Sequence, residues 1–211
     1  MILPVPMKQW SVETILKSTE APMGIVKQWY ADALASQEPI ADRFTLATVD
    51  PQGYPSARIV LVKGIEPEFI VFYTNYESQK AKQLALCPKA SAVFYWPTLK
   101  RQIRLLGDVK KQTPKENEVY FQSRPRLSQL GAWASRQSQP LDSRETLIKK
   151  VDEEDKRFQG SKVPCPDHWG GFRLFPIQVE FWEDGDGRLH DRAILKKAPA
   201  THAWSRTRLY P

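Results

Sequence analysis

The sequence predicts an antiparallel α+β fold, on three observations. Strand-like stretches follow one another through short turn signals, as hairpins do. The helical stretches cluster between two strand-rich regions instead of alternating with single strands. No Gly-rich strand-to-helix fingerprint of the dinucleotide or P-loop kind is present.

The elements follow in order. Residues 1–20 read as an N-terminal arm, with a short helix after Ser11, and residues 21–211 as one domain. A helix opens at Pro22 with Ile25, Val26, Trp29 and Ala33 on one stripe, and ends near Ser36 to Pro39. Phe44 to Val49 is a strand, Asp50-Pro51-Gln52-Gly53 a turn, and Ala57 to Lys63 and Phe69 to Thr74 two more strands. Ser78 is placed to cap a helix through Leu86, which Pro88 stops. Ala90 to Trp96 and Arg101 to Lys110 form a strand pair around Pro97. Thr113, Pro114 and Glu116 make a capping box for a helix to about Ser123. Shorter helical signal covers Leu127 to Ala134, and Asp142 with Glu145 marks the start of a helix to about Phe158. The chain returns to strands at Phe172 to Phe175, Ile177 to Glu183, Arg188 to Lys196 and Ala203 to Arg208, with Asp184-Gly185-Asp186-Gly187 as a hairpin turn.

Composition narrows the class. In 211 residues, 41% are hydrophobic and 26% charged, which excludes a disordered, collagen-like or bare coiled-coil chain. No run reaches the ~18 apolar residues of a membrane helix. The apolar start Met1 to Met7 is too short for a signal peptide. Two cysteines, Cys87 and Cys165, give no disulfide framework and no four-Cys zinc site, so no metal is expected and a cytoplasmic setting is the default. The 31 Lys and Arg against 24 Asp and Glu leave a net charge of +7, which calls for anionic partners.

Several groups of residues could answer that charge. Arg188, His190 and Arg192 alternate, and period two puts them on one strand face beside Trp182; such a face is either solvated or a platform for an anionic or aromatic ligand. Ser78-Gln79-Lys80 opens a helix, where free N–H groups and a lysine favour phosphate. Arg58 and Lys63 lie five residues apart, on opposite faces of an ideal strand, and share a site only if Lys63 sits at the strand end or past a bulge. Tyr120, Arg124 and Ser128 recur every four residues across Pro125, so they meet at a helix–turn–helix corner and suit a phosphate. His168 and His202 have no partner at metal-ligand spacing, and neither cysteine has a visible catalytic partner.

The chain also resembles the pyridoxine (pyridoxamine) 5′-phosphate oxidase family. The resemblance rests on Arg58-Ile-Val-Leu-Val-Lys63, Val71-Phe-Tyr-Thr-Asn75, Arg101-Gln-Ile103, Tyr120-Phe-Gln-Ser-Arg-Pro125, Ser128-Gln-Leu-Gly-Ala-Trp133, Arg136-Gln-Ser138, Trp169-Gly-Gly-Phe172, Glu180-Phe-Trp182 and Arg188-Leu-His-Asp-Arg192, in family order over about four-fifths of the chain. It implies an antiparallel split β-barrel with flanking helices, and a homodimer with FMN at the subunit interface. Arg58 and Lys80, with Ser138, would hold the FMN phosphate. Ile59, Val60, Leu61 and Val62, with Tyr73 and Thr74, would follow the flavin, and Gln102, Gln137, Trp182 and Arg192 would complete its pocket. Lys63, which also belongs to the cofactor stretch, would bind the substrate phosphate with Tyr120, Arg124 and Ser128. Arg188, Leu189 and His190 would hold the substrate ring, with Arg188 and His190 in the catalytic positions. The implied reaction oxidises pyridoxine 5′-phosphate or pyridoxamine 5′-phosphate to pyridoxal 5′-phosphate, with O2 as final acceptor.

Two departures stand out. Gln79 occupies a cofactor-binding position where many family members carry Arg, which implies weaker FMN binding. Residues 1–20 have no clear match to the arm of relatives. Two other readings compete. A phenazine-pathway oxidase would have no use for a phosphate clamp of Lys63, Arg124 and Ser128. A nucleic-acid-binding barrel would expose aromatics between cations, whereas Val93-Phe-Tyr-Trp96 reads as core.

Overall fold

The computed structural model describes residues 10–211; the Met1 to Met7 stretch and the rest of 1–9 lie outside the described residues. The segment that follows forms helix α1 (Val12–Lys17), closed by a Ser11–Thr14 capping box, with Val12 and Ile15 buried. Trp10 is buried too, and its carbonyl accepts from Trp29 Nε1 at 3.0 Å. Helix α2 (Pro22–Ala35) buries the expected stripe of Ile25, Val26, Trp29 and Ala33.

One sheet dominates the molecule. Strands β1 (Arg43–Val49), β2 (Pro55–Leu61), β3 (Gly64–Ile65) and β4 (Ile70–Asn75) precede helix α3 (Gln79–Leu86). Strands β5 (Lys89–Trp96) and β6 (Arg101–Lys111) follow, then helices α4 (Pro114–Gln122), α5 (Arg126–Ala134) and α6 (Arg144–Arg157). Strands β7 (Trp169–Glu183), β8 (Asp191–Lys197) and β9 (Trp204–Leu209) complete the chain. All pairings are antiparallel, in the order β2-β1-β5-β6-β7-β4-β3, with β8 joining β7 to β9.

Strand β7 gives the sheet its curl. Its first half pairs with β4 and its second half with β8, while β6 runs along its other edge. The sequence breaks this strand at Pro176, but the structure carries it through. Pro176 sits at the register shift between Leu106 and Gly107, a bulge where the missing N–H costs no ladder bond. Gly107 makes the close approach possible, because a Cβ there would stand 2.0 Å from the Phe175 carbonyl oxygen. Inside the curl, Phe44, Phe72, Phe94, Trp96, Ile103, Leu105 and Phe181 form the core. Alternate residues of β5 and β6 point into it, so period two follows directly from a one-sided apolar face.

Three further expectations need correction. Ser78 precedes α3 as expected, but its hydroxyl makes no capping bond. It turns instead towards Thr74 and Lys80. Helix α6 is capped by Ser143 rather than Asp142: Ser143 has the extended backbone a cap needs, and its hydroxyl accepts from the Thr146 amide. Strand β8 begins at Asp191 instead of Arg188. Residues 186–188 form a 3-10 turn in which Gly187 and Arg188 take left-handed φ of 63° and 64°. The strand alternation proposed for Arg188, His190 and Arg192 therefore does not exist, since only Arg192 is in the ladder.

Candidate functional site

A cavity of about 1160 Å3 opens between β2, β4, the start of α3 and the α4–α5 corner. It gathers Arg58, Ile59, Val60, Leu61, Lys63, Tyr73, Thr74, Gln79, Lys80, Tyr120, Arg124, Ser128, Gln137 and Ser138. Strand β2 ends at Leu61, so Lys63 has left the ladder and shares the cavity with Arg58, as a strand-end position allows. Tyr120 closes α4 and Ser128 opens α5, with Arg124 in the turn between them. Val62 is different: its side chain joins the core, so only its backbone can serve a ligand.

Lys80 is the electrostatic centre. It is buried, and its Nζ donates to Thr74 Oγ1 at 3.0 Å, Gln137 Oε1 at 3.3 Å and Ser78 Oγ at 3.4 Å. Burial, then the Arg58 charge, push its ammonium down to about 8. Arg58 is lowered by burial as well. Its guanidinium donates to Thr48 Oγ1 at 2.6 Å, the Ser56 carbonyl at 3.0 Å and the Leu46 carbonyl at 3.3 Å. Among the described residues no carboxylate pairs with Lys80, Arg58, Lys63 or Arg124. Buried cations without a counter-charge are costly unless an anion answers them. Ser138, at the cavity rim, holds a left-handed φ of 70°, a cost of ~1 kcal/mol or more that a functional turn can carry.

The wall of the cavity around Tyr120 and Arg124 is aromatic. Tyr73 stacks on Tyr120 with centroids 3.8 Å apart and on Trp169 at 5.2 Å, and the Arg124 guanidinium lies 4.4 Å from the Trp169 ring centre. Arg124 Nη1 is buried without a hydrogen-bond partner, a donor left over for a ligand. Burial pushes the Tyr73 phenol up to about 12, so it stays a neutral donor. In the sequence Trp169 is visible only as part of a motif, and nothing in its spacing reveals that it braces an arginine 45 positions away. Cys165 carries no nucleophile: burial pushes its thiol up to about 11.

The remaining expected residues form a second group, outside this cavity. Gln102, Trp182 and Arg192 are direct neighbours across β6, β7 and β8 and so share a face. The His190 ring lies 4.7 Å from that of Trp182. Its Nδ1 is 3.0 Å from Asp184 Oδ1 and 3.3 Å from the Gly185 amide; protonated, it donates to the carboxylate, and unprotonated, it accepts from the amide. Arg192 donates to Glu180 Oε1 at 2.7 and 3.0 Å and to the Tyr210 carbonyl at 2.9 Å. Arg188 and Leu189 are exposed on the turn. Within one chain, the residues that the sequence points to thus fall in two separate groups.

The curled sheet and its flanking helices define the class, an antiparallel split-barrel protein. PhzG from Burkholderia lata, solved in complex with tetrahydrophenazine-1-carboxylic acid, superposes with a TM-score of 0.85 at 28% identity, covering 93% of this chain and 96% of that one. A pyridoxamine 5′-phosphate oxidase-related, FMN binding protein from Nostoc punctiforme shares the fold, with a TM-score of 0.73 at 20% identity over 92% of this chain and 100% of that one. Residues 31–157 match the family described as pyridoxamine 5′-phosphate oxidase, and residues 169–211 match the pyridoxine 5′-phosphate oxidase C-terminal dimerisation region. The pyridoxine/pyridoxamine 5′-phosphate oxidase of Azorhizobium caulinodans is 46% identical over 194 residues, covering 92% of each chain. Its counterpart in Chelativorans sp. is 42% identical over 210 residues, covering 97% of this chain and 100% of that one. The chain belongs to the pyridoxine/pyridoxamine 5′-phosphate oxidase family and is an oxidoreductase.

Proposed function

We propose that this enzyme uses FMN to oxidise pyridoxine 5′-phosphate or pyridoxamine 5′-phosphate to pyridoxal 5′-phosphate. One observation carries the reading: a cavity whose buried Lys80 and half-buried Arg58 have only neutral partners among the described residues. That is the donor set a phosphate completes, and its residues fit the FMN phosphate. Ser138 and Gln137 extend the cradle, with Gln79 at its exposed edge. The β2 backbone from Ile59 to Val62 and the side chains of Tyr73 and Thr74 flank the room left for a ring system. Arg124, Lys63, Tyr120 and Ser128 would take the second phosphate, that of substrate, with the orphaned Arg124 Nη1 as its first donor.

Bound there, FMN would supply the two-electron acceptor for hydride from substrate C4′, at flavin N5, with dioxygen as the final oxidant giving hydrogen peroxide. The protein's share is to orient the reactants and exclude water. Trp182 and Gln102 would flank the flavin, and Arg188, Leu189 and His190 would cover the substrate ring. Arg192 would face the flavin with its charge already shared with Glu180.

Those last residues lie outside the cavity of their own chain, so the site is complete only if a second copy contributes them. A homodimer is supported by the match of 169–211 to a dimerisation region and by the apolar exposure of Ile59 and Leu61 on the sheet-edge strand β2. We further read residues 21–211 as the oxidase domain with 1–20 as its arm. A cytoplasmic setting agrees with two free cysteines, and no helix of the described residues is long and apolar enough to cross a membrane.

The test is direct. Purified dimer loaded with FMN should show flavin absorbance and consume oxygen with pyridoxine 5′-phosphate, forming an aldehyde. Turnover of a phosphate-free tricyclic substrate in preference to pyridoxine 5′-phosphate would overturn the reading in favour of a phenazine-type oxidase.

A further inference from the structure

We propose that Gln83, acting with Thr48, is a positioning residue that aims Arg58 into the cavity while leaving its positive charge available to an anionic ligand. The inference rests on the reading above, in which that ligand is the FMN phosphate.

Gln83 lies on the face of α3 turned towards β1 and is 4% exposed; Thr48 on β1 is 1% exposed. Neither lines the cavity, so neither touches the ligand. They form a chain of hydrogen bonds with one direction. Arg58 Nη1 donates to Thr48 Oγ1 at 2.6 Å, and Thr48 Oγ1 donates to Gln83 Oε1 at 2.5 Å. Arg58 Nη2 reaches the same Oε1 at 3.5 Å, and Gln83 Nε2 donates to Ser56 Oγ at 3.4 Å. Thr48 has a single hydroxyl proton. Giving it to Gln83 leaves the lone pairs facing Arg58, so the amide of Gln83 fixes which way the hydroxyl points. The guanidinium is thereby held from behind at both terminal nitrogens.

The chemical type of the anchor matters more than its presence. A carboxylate of the same shape would hold Arg58 more strongly, but it would also neutralise it and repel a phosphate. The chain uses that kind of anchor elsewhere: Arg192 is gripped by Glu180. Behind Arg58 every acceptor is neutral: a hydroxyl, an amide and two carbonyls. This is the arrangement for a cation that must be oriented yet keep its field.

Full-length protein stripped of flavin, titrated with FMN and with riboflavin, tests this, because the two ligands share a ring and differ by the phosphate. Gln83→Glu is expected to reduce the preference for FMN over riboflavin by about tenfold or more, the scale of one charge-assisted hydrogen bond. Gln83→Leu and Thr48→Val should reduce it by about threefold, with riboflavin affinity unchanged in all three. If Gln83 only braces α3 against β1, both ligands weaken together and the ratio stands, which overturns the inference. Should Gln83→Glu fail to fold, the two apolar variants carry the same ratio. A parent protein that binds FMN no better than riboflavin gives a different failure: it removes the FMN-phosphate assignment of Arg58 and Lys80, and this inference with it.

Discussion

Two groups of cations in this chain are handled in opposite ways. Around the cavity, Lys80, Arg58 and Arg124 are sunk among hydroxyls, amides and aromatic rings, and burial weakens the charged form of each. At the β6–β7–β8 end four arginines have carboxylates: Arg192 and Arg104 share Glu180, Arg101 holds Glu183 and Asp32, and Arg208 holds Asp191 and Glu13. A paired cation is a fixed structural part that presents its ring or backbone neighbours. An unpaired buried cation is a liability that a ligand converts into affinity. On the proposed reading the first group serves binding at a cost in stability, and the second serves stability while shaping a surface.

That contrast can be broken from either side. The largest effect is expected from Glu180→Gln. Glu180 is 3% exposed and holds two arginines, so its loss should lower unfolding free energy by about 3 kcal/mol, as for a broken buried pair, with urea denaturation as the readout. Lys80→Met should do the reverse. Ligand-free stability holds or rises by about 1 kcal/mol because an uncompensated buried charge is gone, while FMN affinity falls by about 2–3 kcal/mol; fluorescence titration and thermal melting together decide it. Arg188→Leu tests the residues outside the cavity. Leu, like Arg, is unbranched at Cβ and tolerates the same backbone, so stability should move by less than about 0.5 kcal/mol. Loss of a positioning contact should nevertheless raise KM and lower kcat, costing about tenfold or more in kcat/KM with flavin content unchanged; parental kinetics would remove Arg188 from the site. Gln79→Arg, which adds a cation at the exposed edge of the cavity, should tighten FMN by roughly 1–2 kcal/mol; an unchanged dissociation constant would mean Lys80 and Arg58 already satisfy the phosphate.

The last test of the contrast is in pH. Lys80 titrates near 8 in the ligand-free fold against an ordinary 10.5, so the cost of its buried charge is fully present below about 8. As pH rises from there towards the ordinary value, the folded state sheds that proton before the unfolded state does, and ligand-free stability gains. Phosphate binding needs the ammonium, so FMN affinity should weaken above about pH 8 while riboflavin affinity does not. Titrations across that range with Lys80→Met as control, which should lose the inflection, check the sign.

Local pattern determined a good deal. Helices α2, α3, α4 and α5 and most strands could be read from the sequence, because caps, prolines and one-sided burial are local signals that act within a few residues. The cations of the cavity were legible too, since Arg58, Lys80 and Arg124 carry their chemistry in their residue type. The resemblance, spread over nine ordered motifs, supplied the family that local pattern could not. Only the tertiary structure decided the rest. Pro176 could continue a strand because Gly107, 69 residues earlier, lets the backbone bulge against it. Arg188 left the strand because the hairpin closes through a left-handed turn whose geometry is set by how β7 and β8 pair. Whether a cation is paired or free depends on carboxylates brought in from distant strands. Glu180 reaches Arg192 and Arg104 only once β6, β7 and β8 lie side by side, and among the described residues none reaches Lys80. Charge type is a property of the residue, but neutralisation is a property of the fold.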